Sequence, residues 1–526
     1  MSVRKLIGTA LVGVLGLALV PPTVLGQIDY PETRKVDHVD IYHGTVVPDP
    51  YRWLEDTNSE ETAAWVEAQN EVTFAYLEAI PERDWIRERL TELWDYERYR
   101  TPWKDGGRYF YSKNDGLQNQ SVYYTLTSLD AEPEVVLDPN KLSEDGTVSA
   151  YPLDVSEDGK YMVYGVATSG SDWREFYIRE VETRKDLDDH LEWIKFSGAS
   201  WTHDGAGFFY SRYPEPTEGD TYEEANRNQK LYYHRAGTPQ SDDQLIYERP
   251  DQPEWGFGMS ITDDGRYGIM GVWHGTDERN RVYYVDFGDP MDPKLDGEVV
   301  ELLDDFDASY NFIGNDGPVF YFVTNLDAPK YRLIAIDTRS PARDNWREII
   351  PEKEDVLQSV GIVNEQFVAR YMHDAHTQVV ILNKDGSLDT EVELPTIGSA
   401  GGFSGEREDS EAFYSFTSFL YPTTIFRYDF ETGESTVFRA PDVDFDPSGY
   451  ETKQVFYPSK DGTMIPMFLT HKKGIALDGS NPTYLYGYGG FNISRTPGFS
   501  TSMLVWLEMG GIYASANLRG GGEYGE

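Results

Sequence analysis

A short phrase that begins Asp-Gly and runs into tyrosine, phenylalanine and other apolar residues recurs through the middle of this chain. Clear copies begin at Asp105, Asp158, Asp204, Asp264 and Asp316, and weaker ones begin at Asn364 and Asp409. Successive copies lie about 45 to 60 residues apart. Repeats of this size that each hold several short strands are typical of β-propeller blades. Because there are seven copies, the pattern predicts seven blades, whereas a pair of β-sandwiches does not predict this spacing.

The residues around each phrase are those of strands and tight turns. From Arg98 to residue 440, short runs rich in Tyr, Phe and Val alternate with Asp, Gly and Asn, and helical periodicity nearly disappears. Each phrase suits a turn into the inner strands of a blade, because glycine supplies positive φ while the aromatic residues pack between blades. We therefore predict a propeller over residues 98–440.

The segment before the propeller has a helical pattern instead. Apolar residues recur near the helical period from Trp65 to Leu77 and again from Ile86 to Trp94, which predicts two helices. Asn58 and Glu61 have the spacing of a capping box at the start of the first helix. The aromatic residues of both stripes are expected to pack in a core.

The segment after the propeller has a third sequence pattern. Residues 455–470 predict a hairpin that turns at Asp461 and Gly462. Apolar strands are predicted at 483–486 and 511–518, with a helical stretch at 503–509 between them. Strands that are apolar on both faces and separated by a helix indicate the beginning of an α/β sheet.

The amino terminus has the features of a cleaved signal peptide over residues 1–26. Arg4 and Lys5 precede an apolar run from Leu6 to Val20, and small residues suit the cleavage positions before Gln27. The run has about 15 residues, fewer than the roughly 20 that span a bilayer. The sequence therefore predicts a secreted or periplasmic protein with no membrane partner.

Charge and cysteine content exclude several functions. The chain has 46 basic and 91 acidic residues, a net charge of −45, which argues against nucleic acid as a partner. The absence of cysteine excludes disulfides, thiolate metal sites and cysteine nucleophiles.

Six segments in order along the chain carry a more specific signal. They are Asp49-Pro-Tyr-Arg-Trp-Leu-Glu-Asp, Gly116-Leu-Gln-Asn-Gln, Ser169-Gly-Ser-Asp-Trp, Tyr457-Pro-Ser-Lys-Asp-Gly-Thr, Tyr486-Gly-Tyr-Gly-Gly-Phe-Asn-Ile-Ser and Asn517-Leu-Arg-Gly-Gly-Gly-Glu-Tyr-Gly-Glu. Together they resemble the prolyl oligopeptidase family. The resemblance implies a β plus α/β fold, a seven-bladed propeller with the N-terminal part of an α/β-hydrolase domain. It assigns residues 27–97 to a helical segment that packs with the hydrolase domain and residues 441–526 to the start of that domain.

The resemblance also implies an activity. Members are monomeric serine endopeptidases that cleave short peptides on the carboxyl side of proline through an acyl-enzyme, with a Ser-Asp-His triad and no cofactor. Oligopeptidase B, which cuts after basic residues, is a weaker match, because its glycine loop usually lacks the continuation Phe491 to Ser494. A second class, a non-catalytic propeller that binds peptides, stays open, although the loop from Tyr486 to Ser494 favours the peptidase.

The catalytic triad is where the chain departs from the family. An α/β-hydrolase nucleophile lies in a Gly-x-Ser-x-Gly elbow, and no serine here has glycine at both positions. Ser404 comes nearest and fails at the second glycine. Since the family's nucleophile follows the segment that ends at Glu526, the triad is expected beyond Glu526, and the chain is expected to be an incomplete copy that is inactive by itself.

Two site residues carry over from the resemblance. Tyr488 corresponds to a phenol that donates a hydrogen bond to the oxyanion, and Phe491 corresponds to a side chain that lines the proline pocket. Two other patterns are rejected. Gly520 to Gly525 matches G-x-G-x-x-G, but no helix or ribose-binding acid follows it. His373 and His376 have the spacing of metal ligands but lie among strands. The sequence predicts neither a metal nor a cofactor.

Overall fold

A computed structural model of the protein describes residues 28–217 and 225–525, so the predicted signal peptide lies outside the described residues. The chain forms two compact units, one that ends at Glu88 and one that begins at Arg89. Within the described ranges, no helix has both the length and the apolar character needed to cross a membrane.

The first unit holds a hairpin of β1 (Val39–Tyr42) and β2 (Thr45–Pro48), followed by helix α1 (Glu60–Glu78) and the first residues of α2 (Arg83–Trp94). Both predicted helices are present. The predicted cap is wrong by one residue, because α1 is capped by Ser59, whose Oγ accepts the backbone N–H of Thr62 at 3.1 Å. A side-chain oxygen next to the first helical residue reaches that N–H, which satisfies one of the free donors of the first turn.

The prediction that the aromatic residues of both helical stripes pack in a core is also wrong. Among the aromatic residues of the two stripes, Tyr76 on α1 and Trp94 on α2 are exposed, and Trp65 on α1 is half-buried. The first unit, with about 60 described residues, buries a smaller share of its surface than a large domain does, so apolar periodicity alone does not place the side chains of α1 in a core.

The second unit begins with seven consecutive antiparallel sheets. Sheet 1 holds β3 (Arg98–Tyr99), β4 (Trp103–Asp105), β5 (Arg108–Asn114), β6 (Val122–Leu126) and β7 (Glu134–Leu137). Sheet 2 holds β8 (Val148–Val155), β9 (Tyr161–Thr168), β10 (Arg174–Glu180) and β11 (Lys185–Ile194). Sheet 3 holds β12 (Ala199–Trp201), β13 (Gly207–Arg212), β14 (Lys230–Arg235) and β15 (Gln244–Tyr247). Sheet 4 holds β16 (Trp255–Ile261), β17 (Tyr267–His274), β18 (Asn280–Asp286) and β19 (Val300–Leu303).

The last three sheets follow the same order. Sheet 5 holds β20 (Tyr310–Asp316), β21 (Val319–Thr324), β22 (Arg332–Asp337) and β23 (Arg347–Ile350). Sheet 6 holds β24 (Val356–Val363), β25 (Gln366–His373), β26 (His376–Leu382) and β27 (Leu388–Val392). Sheet 7 holds β28 (Ser399–Ser404), β29 (Glu411–Ser418), β30 (Tyr421–Asp429) and β31 (Glu434–Arg439). Short 3-10 helices lie at Arg52–Glu55, Pro139–Lys141, Gln240–Asp242, Arg343–Asn345 and Pro447–Gly449.

The recurring phrases form the hairpin turns that were predicted, one in each sheet. In sheet 2 the carboxylate of Asp158 accepts the backbone N–H of Lys160 at 3.0 Å and the hydroxyl of Ser156 at 2.7 Å. Asp204 and Asp264 make the same pair of bonds, each with a threonine two residues earlier. An aspartate that bonds its own backbone two residues on is a local turn device, which explains why the phrase recurs with the fold.

The core lies between neighbouring sheets. Six apolar clusters each join two consecutive sheets, from the pair 1 and 2 to the pair 6 and 7. Sheet 7 in turn contacts sheet 1: Lys104 Nζ donates to Asp409 Oδ1 at 2.6 Å, and Tyr109 packs edge-on against Phe413 at 6.5 Å between ring centroids. The seven sheets therefore follow one another in a closed ring.

A mixed sheet follows the ring. Its strands are β32 (Tyr450–Pro458), β33 (Met464–Lys472), β34 (Thr483–Tyr486) and β35 (Ile512–Ala516), and they lie in the order β32-β33-β35-β34. Helix α3 (Thr501–Glu508) connects β34 to β35. The hairpin of β32 and β33 was predicted, and so were the two later strands with a helix between them. Strands β34 and β35 are parallel. The carboxyl end of β34 thus opens into the loop that carries the predicted site residues.

Candidate active site

The loop that follows β34 carries Tyr488 on a glycine-rich backbone. Gly489 has φ +66°, and a Cβ there would lie 2.8 Å from the carbonyl oxygen of Arg519. A Cβ on Gly487 would lie 2.6 Å from the Leu518 side chain. Only glycine permits this approach, so the loop lies directly against the segment that follows β35. The Tyr488 side chain is 47% exposed, and its hydroxyl has no hydrogen-bond partner among the described residues.

Phe491 is presented outward by a strained backbone. It is 82% exposed, and it shares a left-handed conformation with Asn492, with φ of +51° and +54°. Left-handed backbone is unfavourable for residues other than glycine and persists where surrounding contacts hold it. Here the N–H of Asn492 donates to the Gly520 carbonyl at 2.9 Å, and the N–H of Ile493 donates to the Gly490 carbonyl at 3.0 Å. Phe491 is therefore fixed at the surface and is not part of a core.

Sheets 4 and 7 of the ring contact this loop, and sheet 6 contacts the segment that follows β35. The Nδ2 of Asn492 lies 3.4 Å from a carboxylate oxygen of Glu278, in the turn after β17. The Ser399 hydroxyl donates to the Pro497 carbonyl at 2.6 Å, at the start of β28. The Tyr524 hydroxyl donates to Asp374 at 2.8 Å, and burial together with this carboxylate raises the pKa of Tyr524. Of these contacts, the sequence reasoning anticipated none, because they join positions 98 to 214 residues apart.

The other residues considered from the sequence, Ser404, His373 and His376, lie outside the loop of Tyr488 and Phe491. Ser404, the serine nearest to an elbow pattern, donates its hydroxyl to the Pro102 carbonyl at 2.7 Å and so joins sheet 7 to sheet 1. His373 and His376 face each other across the hairpin of β25 and β26, and His373 Nδ1 lies 2.9 Å from an Asp355 carboxylate oxygen. Across the described residues, no group of three or more His, Asp or Glu side chains has the arrangement of a metal site.

The chemical capacity of the loop is that of a hydrogen-bond donor next to an exposed apolar ring. A phenol without a partner can donate to a developing negative charge, and the glycines leave the space in front of it open. The loop holds no nucleophile next to a base.

The family model described as prolyl oligopeptidase, N-terminal β-propeller domain, matches residues 31–441. The chain belongs to the prolyl oligopeptidase family. The resemblance inferred from the six segments is thereby confirmed, and the ring of antiparallel sheets is the β-propeller domain of this family.

Individual members of the prolyl oligopeptidase family agree with this assignment. A prolyl endopeptidase of Elizabethkingia meningoseptica is 43% identical over 95% of this chain and 69% of its own length. A solved prolyl endopeptidase structure, 35% identical, superimposes with a TM-score of 0.89 over 94% of this chain and 72% of that one. Prolyl oligopeptidase B from Galerina marginata, solved with a 25-residue macrocyclization substrate, is 32% identical, with a TM-score of 0.88 over 94% and 73%. These likenesses support a peptidase of the prolyl oligopeptidase type.

Proposed function

We propose that this protein is a serine-type endopeptidase that cleaves short peptides on the carboxyl side of proline through an acyl-enzyme. Tyr488 is the oxyanion donor in this proposal, and Phe491 lines the pocket for the proline ring. The observation that carries it is the half-exposed Tyr488 hydroxyl, without a partner among the described residues, on a loop that is fixed by backbone hydrogen bonds on both sides of Phe491. A phenol hydroxyl without a protein partner is free to donate a hydrogen bond to a substrate oxygen.

The proposed roles follow from the charges that form during acyl transfer. When a nucleophile attacks the carbonyl carbon, negative charge develops on the oxygen, and a preplaced donor stabilises it by an amount equal to roughly 10²–10³ in rate. Proline has an apolar ring and no N–H, so an exposed phenylalanine ring offers it contact area without leaving a polar group unpaired. We place the Ser-Asp-His triad outside residues 1–526, since no serine of the chain has the elbow pattern.

The architecture supports selection of short substrates. We propose that the seven sheets are the seven blades of the propeller and that residues 450–525 are the first part of an α/β-hydrolase domain. A cavity of about 690 Å³ is lined by residues from all seven sheets, among them Asp105, Asp154, Trp201, Ile261, Ile313, Ile362 and Glu406, which supports an axial channel. A ring of this kind in front of the loop would exclude folded proteins by size. We further propose a monomer that acts outside the cytoplasm, in keeping with the predicted signal peptide.

The test uses the native protein and a fluorophosphonate, which labels activated serines. We expect stoichiometric labelling, and mapping of the labelled peptide should place the serine outside residues 1–526. A labelled serine within these residues would refute our placement of the triad. Absence of any labelling would refute the peptidase in favour of the peptide-binding propeller.

The second arm tests Tyr488 itself. In a form of the protein that hydrolyses a chromogenic Gly-Pro substrate, Tyr488→Phe should lower kcat on the order of 10²–10³-fold, because the donor acts mainly in the transition state. The matched control is Tyr484→Phe, four residues upstream on β34. An unchanged kcat in Tyr488→Phe would reduce this side chain to a packing role.

A further inference from the structure

The segment after β35 contains three consecutive glycines, and each one is explained by a close approach. A Cβ on Gly520 would lie 2.6 Å from the carbonyl oxygen of Gly489, and one on Gly522 would lie 2.5 Å from Asn492 Oδ1. A Cβ on Gly521 would lie 2.3 Å from the carboxylate of Glu523. The glycines that resemble a nucleotide-binding pattern therefore let this backbone lie against the loop of Tyr488 and Phe491 and leave room for a buried carboxylate.

That carboxylate belongs to Glu523, which is 3% exposed. Its Oε1 accepts the backbone N–H of Arg495 at 2.7 Å and the Nδ2 of Asn517 at 2.8 Å. The same Nδ2 of Asn517 donates to the Arg495 carbonyl oxygen at 2.7 Å. Asn517 is 5% exposed, and its own N–H donates to the Pro466 carbonyl of β33 at 3.1 Å. Both backbone groups of Arg495 are thus held by two buried side chains, which we call the Asn517–Glu523 clasp.

The clasp acts at the end of the loop, and a second contact joins that end to the beginning. The Arg495 guanidinium lies over the Tyr486 ring at 4.7 Å from its centroid, a cation–π contact. Tyr486 is the last residue of β34, and Arg495 closes the loop in which Tyr488 and Phe491 lie. The two ends are thereby held together while the residues between them stay open to solvent.

Apolar side chains would close such a loop more simply than these polar ones. A buried carboxylate is costly unless it is hydrogen-bonded, and Asn517 Oδ1 is buried without a partner among the described residues. Hydrogen bonds to a charged acceptor are shorter and more directional than apolar contacts, so they fix the position of a backbone more narrowly. This polar arrangement fixes the position of the loop backbone more narrowly than apolar contacts would, at some cost in stability.

We propose that Glu523 and Asn517 are positioning residues that set the loop of Tyr488 and Phe491 for catalysis. They act through the backbone of Arg495 and do not touch the substrate. The proposal rests on the proposed function for its consequence in catalysis, whereas the order of the loop is tested without any activity.

The test exploits the absence of cysteine, which makes a single introduced thiol unique. Phe491→Cys carries a nitroxide spin label on the 526-residue chain, and Leu388→Cys, on an exposed site of β27, carries the same label as a remote control. Glu523→Ala should shift the spectrum at position 491 from slow to fast motion and leave that at position 388 unchanged. Glu523→Gln should restore slow motion, because its amide oxygen still accepts both bonds. Asn517→Ala, which removes two of the three clasp bonds, is the second variant if Glu523→Ala does not fold.

The outcomes are distinct. Slow motion at position 491 in folded Glu523→Ala or Asn517→Ala would overturn the proposal. Faster motion at both positions, with loss of the thermal transition, would overturn it in favour of a general structural role. In a form that hydrolyses the Gly-Pro substrate, Glu523→Ala should lower kcat on the order of 10²-fold, the effect of a displaced catalytic group, and should also raise KM, because Phe491 is released together with Tyr488. Glu523→Gln should restore both values. If the native protein shows no fluorophosphonate labelling, the proposed function fails while the spin-label result still decides the clasp.

Discussion

The ring of seven sheets and the mixed sheet that follows it hold their strands by different means. In β21 of sheet 5 all but one of the six residues are buried, and the side chains pack between two neighbouring sheets. In β34 no residue is buried, and within the described residues the strand pairs with β35 alone. The ring is therefore stabilised by apolar contact, whereas the loop after β34 is positioned by the hydrogen bonds of the following segment. This difference separates what should change stability from what should change activity.

The largest expected effect is loss of a core ring between two sheets. Phe320 on β21 is fully buried and packs against Tyr267 and Tyr284 of sheet 4 at 5.0 and 5.3 Å between centroids. Phe320→Ala should lower the free energy of unfolding by about 3–5 kcal/mol, because the cavity between two sheets cannot collapse fully. The matched change in the other region is Leu485→Ala on β34, where the side chain is 66% exposed and the loss should stay within about 0.5 kcal/mol. Equal losses in urea unfolding would show that the two regions do not differ as described.

A buried ionic cluster between sheets 2 and 3 should make the ring sensitive to pH. His234 on β14 is fully buried between Asp189 on β11 at 2.8 Å and Asp243 at 2.6 Å. Burial opposes its positive charge, but the hydrogen bonds that it donates to both carboxylates outweigh this effect and raise the pKa of His234 to about 9. Since this folded value lies above the unfolded value near 6.5, the stabilisation is complete below about pH 6.5 and is lost as pH rises to about 9. The loss is on the order of 3 kcal/mol.

A comparison of wild type with His234→Gln in unfolding experiments from pH 6 to 9.5 isolates this contribution. Two carboxyls that line the 690 Å³ cavity also titrate in this range, since burial raises the pKa of Asp105 to about 8 and that of Asp154 to about 7. These two carboxyls also lower the stability of the protein as pH rises. Each has a raised pKa in the folded state, so the folded state is favoured only while the carboxyl stays protonated. This effect is common to both proteins, so the difference between them belongs to His234. A pH dependence that is identical in the two proteins would contradict the assignment.

The ring was predictable from sequence because each of its turns is formed by hydrogen bonds between neighbouring residues. An Asp-Gly turn with Ser156 or Thr202 two residues earlier contains its own hydrogen-bond partners, so each copy signals a hairpin without knowledge of the rest of the fold. The roles of Tyr488 and Phe491 come from the family resemblance alone and stay predictions. The clasp was not anticipated, because Glu523 and Arg495 are 28 residues apart and meet only after β34 and β35 pair. The exposure of α1 was also missed, since periodicity indicates an apolar face and not what covers it.

Substitution of glycines in the turns of the ring should cause a loss of stability of intermediate size. Gly106 and Gly107 lie in one turn of sheet 1 and both have positive φ, of 51° and 68°. A Cβ on Gly106 would lie 2.3 Å from the Cα of Gly159 in the next sheet, whereas a Cβ on Gly107 would meet nothing within 4 Å. Gly107→Ala should therefore cost about 1–2 kcal/mol for the left-handed backbone alone. Gly106→Ala should cost more, because the turns of sheets 1 and 2 must also separate. Equal losses in thermal unfolding would show that the approach of the two turns is not required for the ring.

The smallest change in stability is expected where the change in activity is expected to be large. Tyr488→Phe removes a hydroxyl that has no partner among the described residues, so the free energy of unfolding should stay within about 0.5 kcal/mol of wild type. The matched change in the ring is Tyr414→Phe in sheet 7, where a fully buried phenol hydrogen-bonds to Ser435 Oγ at 2.9 Å. Its loss should cost about 1 kcal/mol, because the half-buried hydroxyl of Ser435 loses its partner. If Tyr488→Phe destabilises the protein as much as Tyr414→Phe does, the Tyr488 hydroxyl is engaged in the folded chain and is not free to meet an oxyanion. A neutral Tyr488→Phe would instead leave the hydroxyl available, as an oxyanion donor must be before the substrate binds.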